Sequence, residues 1–325
     1  MRNVEIGLDN LKKLSFPFDL KKALKTGIYA GGTSGSGKTN LLYQIADYLM
    51  SVTKEELAEI GYKTENKIVV YVFDASQAWQ ENSSIPYVIH IDKVPMTLDH
   101  FPITESVIID TSKLYVKEQR QVVTDICKVL FTYKVNQPKE KRIWHFLLFE
   151  EAQLYLQPSS MRANSGAEVM RLITVGRNFR IRYGLVTQFP STVDKLPVKM
   201  TQQRYFGYTD EKNDKEYIKE FIGKERSEEL ETFKPGQFYY KCGRTIEKID
   251  TPLFKSTVKA KPFDPCEKEL CVVTPEEKQE EDFLKWALLI LILCAIGAII
   301  MGLVLNRKAL IGGLWLLFNN YLSSK

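Results

Sequence analysis

The hydrophobic residues of this chain are grouped in short runs of consecutive positions. Most of these runs contain β-branched residues, end near a polar residue, and occupy residues 26–30, 67–74, 87–92, 106–110, 144–149 and 183–187. Strands that are buried on both faces of a parallel sheet have this composition. A further strand is predicted late in the chain, at residues 236–240. The pattern therefore predicts an α/β fold with a mostly parallel central sheet.

The segments between these runs place apolar residues at helical spacing. One such segment follows the first predicted strand and contains Leu41, Leu42, Ile45 and Leu49. Further helices are predicted at residues 117–134, 165–178 and 210–222, and the last of these is charged and amphipathic. Residues 4–25, whose apolar positions are interrupted by Pro17, are predicted to pack beside the first strand.

The C-terminal part of the chain has the pattern of a membrane anchor. Residues 286–305 form a run of 20 positions without a charge, and a helix of about 20 apolar residues crosses the hydrocarbon layer of a bilayer. We therefore predict a transmembrane helix at residues 286–305, with a helix buried in a protein core as the alternative. Residues 309–322 give only about 21 Å of helix, and we predict that they form a short interfacial or re-entrant helix.

Charge and proline divide the chain into three regions. Residues 262–283 carry eight acids, two lysines and three prolines, a composition typical of an extended, mobile linker. The predicted regions are thus a globular domain at 1–261, the acidic linker at 262–283 and the membrane anchor at 284–325. The globular domain has a modest excess of basic residues, which permits a polyanionic partner without requiring one. Five scattered cysteines and only three histidines argue against a zinc site.

The clearest chemical signal is the stretch GGTSGSGKT at residues 31–39, between the first predicted strand and the helix that follows it. Its spacing is that of a phosphate-binding loop, whose glycines let backbone N–H groups converge on phosphate oxygens at the start of a helix. Lys38 supplies positive charge to the β and γ phosphates, and the Thr39 hydroxyl binds Mg²⁺. The stretch predicts ATP and Mg²⁺ as ligands. The predicted nucleotide-binding residues are Gly32, Thr33, Ser34, Gly35, Ser36, Gly37, Lys38, Thr39 and Asn40.

Two acids, Glu150 and Glu151, follow the predicted strand at residues 144–149. Ligands of open α/β sheets bind outside the carboxyl ends of the strands, so these acids are expected to face the phosphate loop. We assign Glu150 to Mg²⁺, directly or through water, and Glu151 to polarising the attacking water. The alternative is that the acids only begin the next helix, where negative charge is favoured.

Two further residues complete the predicted catalytic set. Gln188 ends the strand at residues 183–187 and is predicted to sense the γ-phosphate; a surface glutamine with no such role is the alternative. Four arginines lie between residues 171 and 182, and most arginines in such a group only solvate a helix face. We assign Arg177 to the γ-phosphate of a neighbouring subunit, where an arginine stabilises transition-state charge.

Several phrases, taken together, resemble the HerA/FtsK superfamily of P-loop ATPases, in particular the HerA-like proteins of archaea and their viruses and plasmids. They are the phosphate loop, FEEAQLYL at 149–156, VGRNFRI at 175–181 and VTQFPSTVDK at 186–195, with DASQAWQ and IIDTSKL after the middle strands. The resemblance covers about residues 15–250. It implies a RecA-like P-loop NTPase core, with an added strand between the acidic strand and the phosphate loop, assembled as a hexameric ring that moves DNA.

The resemblance also implies roles for individual residues, and it agrees with those assigned above. Lys38 and Thr39 hold nucleotide and Mg²⁺, Glu151 is the catalytic acid, Gln188 the strand-end sensor and Arg177 the arginine finger. One departure is visible, because the superfamily usually has Asp where this chain has Glu150. The C-terminal membrane anchor also departs from the soluble HerA members.

The leading hypothesis is a membrane-tethered ATPase motor, a homo-oligomeric ring that translocates double-stranded DNA in viral genome packaging or in DNA transfer. Basic residues compatible with phosphate contacts are Lys139, Lys141, Arg142 and Arg162. The predicted anchor crosses a cell or virion membrane once, with the ATPase domain on the cytosolic side because the domain requires ATP. Arg307 and Lys308 follow the crossing and would also favour the cytosolic side, so the two cues conflict, and we give more weight to the ATP requirement. One alternative is a membrane-bound ATPase that acts in protein secretion or membrane assembly. Another, a P-loop kinase or nucleotide switch, is disfavoured by Glu151.

Overall fold

The computed structural model describes residues 14–62, 67–80, 83–94, 101–139, 142–157, 166–255 and 258–264. All of them belong to one compact unit, Met1–Leu270. Within these ranges, ten strands form one sheet in the order β10-β3-β4-β2-β5-β6-β1-β7-β8-β9. The strands are β1 (Ile28–Gly31), β2 (Ile68–Asp74), β3 (Tyr87–His90), β4 (Val107–Asp110), β5 (Trp144–Phe149), β6 (Ile181–Thr187), β7 (Gln203–Phe206), β8 (Gln237–Cys242), β9 (Thr245–Asp250) and β10 (Lys261–Pro262).

The sheet is parallel from β10 to β7, and only β8 and β9 run antiparallel to their neighbours. Every residue of β2, β5 and β6 is buried, as the continuous apolar runs of the sequence predicted. The prediction of an α/β fold with a mostly parallel sheet is therefore confirmed.

Helices connect the parallel strands and cover the sheet. They are α1 (Leu20–Thr26), α2 (Lys38–Ser51), α3 (Lys54–Glu59), α4 (Val116–Val135), α5 (Gly166–Val175), α6 (Lys195–Met200), α7 (Lys212–Ile222) and α8 (Lys224–Glu229). In α2 the apolar residues at helical spacing are fully buried, which fixes this helix against the core of the domain. Burial of such a stripe, at about 25 cal/mol per Å² of apolar surface, stabilises a helix more than its own propensity does.

The predicted boundaries differ from the observed ones where a polar residue is involved. Helix α1 occupies the end of the predicted leader. It is capped at its start by Asp19, whose side chain accepts a hydrogen bond from the Lys22 amide, and at its end by Gly27. Strand β1 therefore starts at Ile28, two residues later than predicted. Strand β6 includes Arg182, which stays buried because its guanidinium donates hydrogen bonds to the carbonyl oxygens of Leu24 and Ile173.

Strand β6 lies between β5 and β1 in the sheet. This is the added strand, between the acidic strand and the phosphate loop, that the family resemblance implied. The carboxyl ends of β1, β6 and β5 consequently meet along one short stretch of the sheet edge. Residues that follow these three strands can contribute to one site.

The segment after β9 crosses the domain before it reaches β10 at the opposite edge of the sheet. On the way it is held by α2, because the Asn40 side chain donates to the Pro252 carbonyl (2.8 Å) and accepts from the Phe254 amide (2.6 Å). Gln44 also donates to the Pro252 carbonyl, at 2.8 Å. Strand β10 pairs with β3 and spans the predicted boundary at residue 261.

The predicted transmembrane helix at 286–305, the predicted helix at 309–322 and most of the predicted linker lie outside the described residues. Among the residues that are described, no helix has both the length and the apolar character needed to cross a membrane.

Candidate nucleotide-binding site

The phosphate loop connects β1 to α2, and two of its glycines lie close to the backbone of neighbouring segments. Gly32 has a φ of 151°, and a Cβ there would lie 2.8 Å from the Tyr208 carbonyl oxygen. Gly37 has a φ of 93°, and a Cβ would lie 2.7 Å from the amide nitrogen of Gly236. Since these φ values are rare for residues with a Cβ and the space is already filled, only glycine fits at either position.

Lys38 is the first residue of α2, and its side chain folds back over the loop. Its Nζ donates to the Thr33 carbonyl oxygen (2.8 Å) and to the Ser36 hydroxyl (3.2 Å). Burial lowers the pKa of Lys38 to about 8, against the opposing effect of the Glu151 and Glu150 carboxylates. Its present acceptors are neutral, so the ammonium is available for the stronger, charge-assisted hydrogen bonds that phosphate oxygens offer.

Thr39 and Glu150, the two predicted metal ligands, are in direct contact. The Thr39 hydroxyl donates to Oε1 of Glu150 at 2.9 Å, and Glu150 is only 5 % exposed. A hydroxyl and a carboxylate are hard oxygen ligands of the kind Mg²⁺ prefers, so these residues fit that ion. A glycine-rich loop after a parallel strand thus meets a lysine, a threonine and a strand-end acid. The loop therefore has the position and the neighbouring residues of a phosphate-binding P-loop.

The P-loop borders a cavity of about 290 Å³ at the carboxyl edge of the sheet. The cavity joins the loop to residues that follow β2, β5 and β6. Its lining consists of Ser34, Gly35, Gly37, Lys38, Thr39, Asn40, Ser76, Ala78, Glu150, Glu151, Val186 and Gln188. Three predicted loop residues, Gly32, Thr33 and Ser36, lie outside this lining; Ser36 is buried and Thr33 supplies the carbonyl oxygen that Lys38 contacts. Asn40 lines the cavity, while its side-chain hydrogen bonds go to residues 252 and 254.

Glu151 enters this cavity through a local departure from strand geometry. Its backbone is left-handed (φ 55°, ψ 53°), a conformation that is uncommon outside glycine and that often marks a functional site. The side-chain amides of Gln188 and Gln153 both donate to the Glu151 carboxylate. Gln153 is itself held by the Thr187 hydroxyl at 2.7 Å. The carboxylate is therefore fixed by two amides, and one of them is the predicted sensor, Gln188.

Arg177 is placed apart from the other predicted residues. It lies in a 3-10 helix (Gly176–Phe179) that precedes β6, and its side chain is exposed. Because the strands are parallel, Arg177 lies near their amino ends, whereas Glu151 and Gln188 follow the carboxyl ends. Arg177 does not line the cavity of this chain.

The residues of the site that were missed in the sequence include Asp74 and Ser76. Asp74 ends β2 and is fully buried, and Ser76 lines the cavity. They belong to DASQAWQ, one of the phrases on which the family resemblance rests. The available signal was an acid at the end of a predicted strand, the same signal that identified Glu150.

Asp74 and burial together alter the ionisation of Glu150. Burial, followed by the nearby Asp74 carboxylate, raises the pKa of Glu150 to about 8, while the hydrogen bond from Thr39 opposes the shift. A divalent cation binds the ionised form of a carboxylate. Cation binding at Glu150 is therefore favoured as the pH rises toward and above this value.

Replacing Glu150 with glutamine is expected to stabilise the ligand-free protein at high pH. The pKa of Glu150 is about 8 in the fold and about 4.3 in an unfolded chain, so unfolding releases a proton between these values. Wild-type stability consequently falls as the pH rises through this window, and glutamine removes that loss. At about pH 9, without metal or nucleotide, the melting temperature of the variant should exceed that of the wild type by at least roughly 2–4 °C. At about pH 4, just below the pKa of the unfolded chain, the two should agree; equal values at both pH values would contradict the assignment.

Solved structures with similar arrangements of strands and helices include several nucleotide-bound proteins. The genome packaging NTPase of Sulfolobus turreted icosahedral virus 2 in complex with AMP has 18% sequence identity and a TM-score of 0.48, covering 70% of this chain and 97% of the other. The pCW3 conjugation coupling protein TcpA with ATPγS has 15% identity and a TM-score of 0.42, covering 75% and 64%. The cytoplasmic domain of the Thermomonospora curvata type VII secretion ATPase EccC has 13% identity and a TM-score of 0.43, covering 70% and 25%.

No protein-family model and no curated protein sequence matches this chain. The similarities to solved structures concern the fold and assign neither an activity nor a substrate.

Proposed function

We propose that this protein is a Mg²⁺-dependent ATPase that works as a ring-shaped motor. The observation that carries the proposal is the position of Glu151, whose carboxylate lies in the P-loop cavity and is fixed there by Gln188 and Gln153. A P-loop that only binds nucleotide has no need of a second acid held by two amides. An acid beside the triphosphate site can accept a proton from an attacking water.

The other cavity residues have complementary roles in this proposal. The P-loop amides and Lys38 bind the β and γ phosphates and balance the charge that develops during transfer of the phosphoryl group. Thr39 and Glu150 hold Mg²⁺, which when bound neutralises phosphate charge. Gln188 lines the same cavity and donates to Glu151. Loss of the γ-phosphate would therefore change the surroundings of Gln188, which follows β6.

We further propose that the ring translocates double-stranded DNA and is tethered to a membrane by residues 286–305. The DNA substrate is supported by the phrases shared with the HerA/FtsK superfamily and by the basic character of residues 1–261. The tether is supported by the uncharged run alone. A ring is supported by Arg177, which is exposed and precedes β6, whereas the cavity lies at the other end of that strand. An arginine that serves a neighbouring subunit must lie away from the cavity of its own chain in this way.

Replacing Arg177 with alanine is expected to lower the rate of ATP hydrolysis by roughly 10³-fold or more, because an arginine finger contributes that much to the chemical step. In mixtures with wild-type protein, activity should fall faster than the fraction of wild-type subunits, since each variant subunit disables a neighbour's site. The measurement is the rate against mixing ratio at constant total protein. An activity that declines in strict proportion to dilution would show that Arg177 does not act between subunits.

The DNA hypothesis is tested by hydrolysis assays on the full chain in lipid nanodiscs. We expect duplex DNA to increase the rate, and we expect the logarithm of the DNA affinity to fall linearly with the logarithm of salt concentration, with a slope of about −0.9 per phosphate contacted. The Lys38→Ala variant is the control for hydrolysis by contaminants. A rate that ignores DNA but increases with vesicles or with a protein partner would instead support the secretion or membrane-assembly function.

A further inference from the structure

The turn that follows β2 is fixed by the carboxylate of Asp74. Oδ1 of Asp74 accepts from the Ser76 amide at 2.9 Å and from the Ser76 hydroxyl at 3.2 Å. Oδ2 accepts from the Trp79 amide at 3.1 Å. Asp74 and Trp79 are both fully buried. The turn is therefore tied to the end of β2, and Ser76, although exposed, is bonded to Asp74 through both its amide and its hydroxyl.

Ser76 is the member of this turn that reaches Glu150. Its hydroxyl lies 3.4 Å from Oε2 of Glu150 and lines the P-loop cavity. The other carboxylate oxygen of Glu150, Oε1, accepts from Thr39 at 2.9 Å. Each oxygen of the predicted metal-binding carboxylate thus faces a hydroxyl, one from the P-loop helix and one from the turn after β2.

Oγ of Ser76 is within hydrogen-bond reach of two carboxylates, with Oδ1 of Asp74 at 3.2 Å and Oε2 of Glu150 at 3.4 Å. A serine hydroxyl has one proton, which it can share between two carboxylate oxygens in a three-centre hydrogen bond, and Ser76 can in this way limit the rotation of Glu150. Partners that orient a metal-binding carboxylate in this way commonly change metal affinity or activity 10–100-fold when they are removed.

We propose that Ser76, held by Asp74, is a positioning residue that orients Glu150 toward a bound divalent cation. This inference rests on the proposed function, because it assumes that the cavity binds a metal–nucleotide complex. It gives the turn after β2, which lines the cavity, a role beside those of the residues that follow β1, β5 and β6.

The test compares Ser76→Ala with Ser76→Thr in the full chain. ATP binding is measured by calorimetry while Mg²⁺ is titrated, and separately in EDTA. For Ser76→Ala we expect the Mg²⁺ concentration at half-saturation to rise about 10–100-fold, with metal-free ATP affinity changed less than about twofold. Ser76→Thr retains a hydroxyl and should restore most of the metal response.

Ser227 provides a control, because its hydroxyl also donates a hydrogen bond, to the Lys224 carbonyl in α8, outside the cavity lining. Ser227→Ala should leave the Mg²⁺ titration unchanged. The inference is overturned if Ser76→Ala leaves the Mg²⁺ titration unchanged, or if it weakens metal-free ATP binding to the same extent. If wild-type protein itself shows no Mg²⁺-dependent ATP binding, the proposed function fails, and that result is distinct from either of these.

Discussion

Replacing Glu151 with glutamine is expected to stop ATP hydrolysis while ATP stays bound. Glutamine preserves the size of the side chain but cannot accept a proton from water, and loss of a general base typically costs about 10²–10⁴-fold in rate. The cavity residues that would contact phosphates, chiefly Lys38 and the P-loop amides, are untouched by this change. The variant should therefore accumulate as an ATP complex.

Single-turnover hydrolysis and filter retention of labelled ATP measure the two effects separately. Glu225→Gln, which alters an exposed acid on α8, is the matched control and should behave as wild type. If Glu151→Gln still turns over ATP at the wild-type rate, Glu151 is not the catalytic acid. If it loses ATP binding instead, the carboxylate has a role in nucleotide affinity that its two amide partners do not suggest.

Lys38→Ala is expected to remove ATP binding itself. The lysine ammonium is buried beside the loop, and hydrogen bonds to charged groups contribute about 1.5–3 kcal/mol each. Loss of two such bonds to phosphate oxygens corresponds to at least roughly a hundredfold increase in Kd. Calorimetry with ATP measures the change, and Lys54→Ala, an exposed lysine at the start of α3, is the control. ATP affinity within a factor of two of wild type would refute the assigned role of Lys38.

The parts of the site that could be predicted from the sequence are those whose signals are local. The P-loop spacing lies within nine consecutive residues, and Glu150 and Glu151 directly follow an uninterrupted apolar run. Gln188 likewise ends a run that is buried at every position. In each case, the residue type and the end of a predicted strand indicate the role together, without knowledge of which strands are neighbours.

What could not be predicted depends on strand order and on polar residues in buried places. Asp74 and Ser76 join the site only because β2 pairs with β5. The residues at 67–74 do not indicate which strand they pair with. Strand β7 was missed because it begins with Gln203 and Arg204, two polar residues that are buried through hydrogen bonds to neighbouring segments. Gln153 was missed because its partner, Thr187, lies 34 residues away.

The route of the chain between β9 and β10 has a mechanical consequence. Residue 264 is joined to the domain through the short pairing of β10 with β3, and before that through the grip of Asn40 on the backbone at 252 and 254. Asn40 lies two positions after Lys38 on the same helix. A pulling force applied at residue 264 would therefore be resisted first by the pairing of β10 with β3 and next by the hydrogen bonds of Asn40 in α2. Because α2 also carries Lys38, the force and the bound nucleotide would act on the same helix.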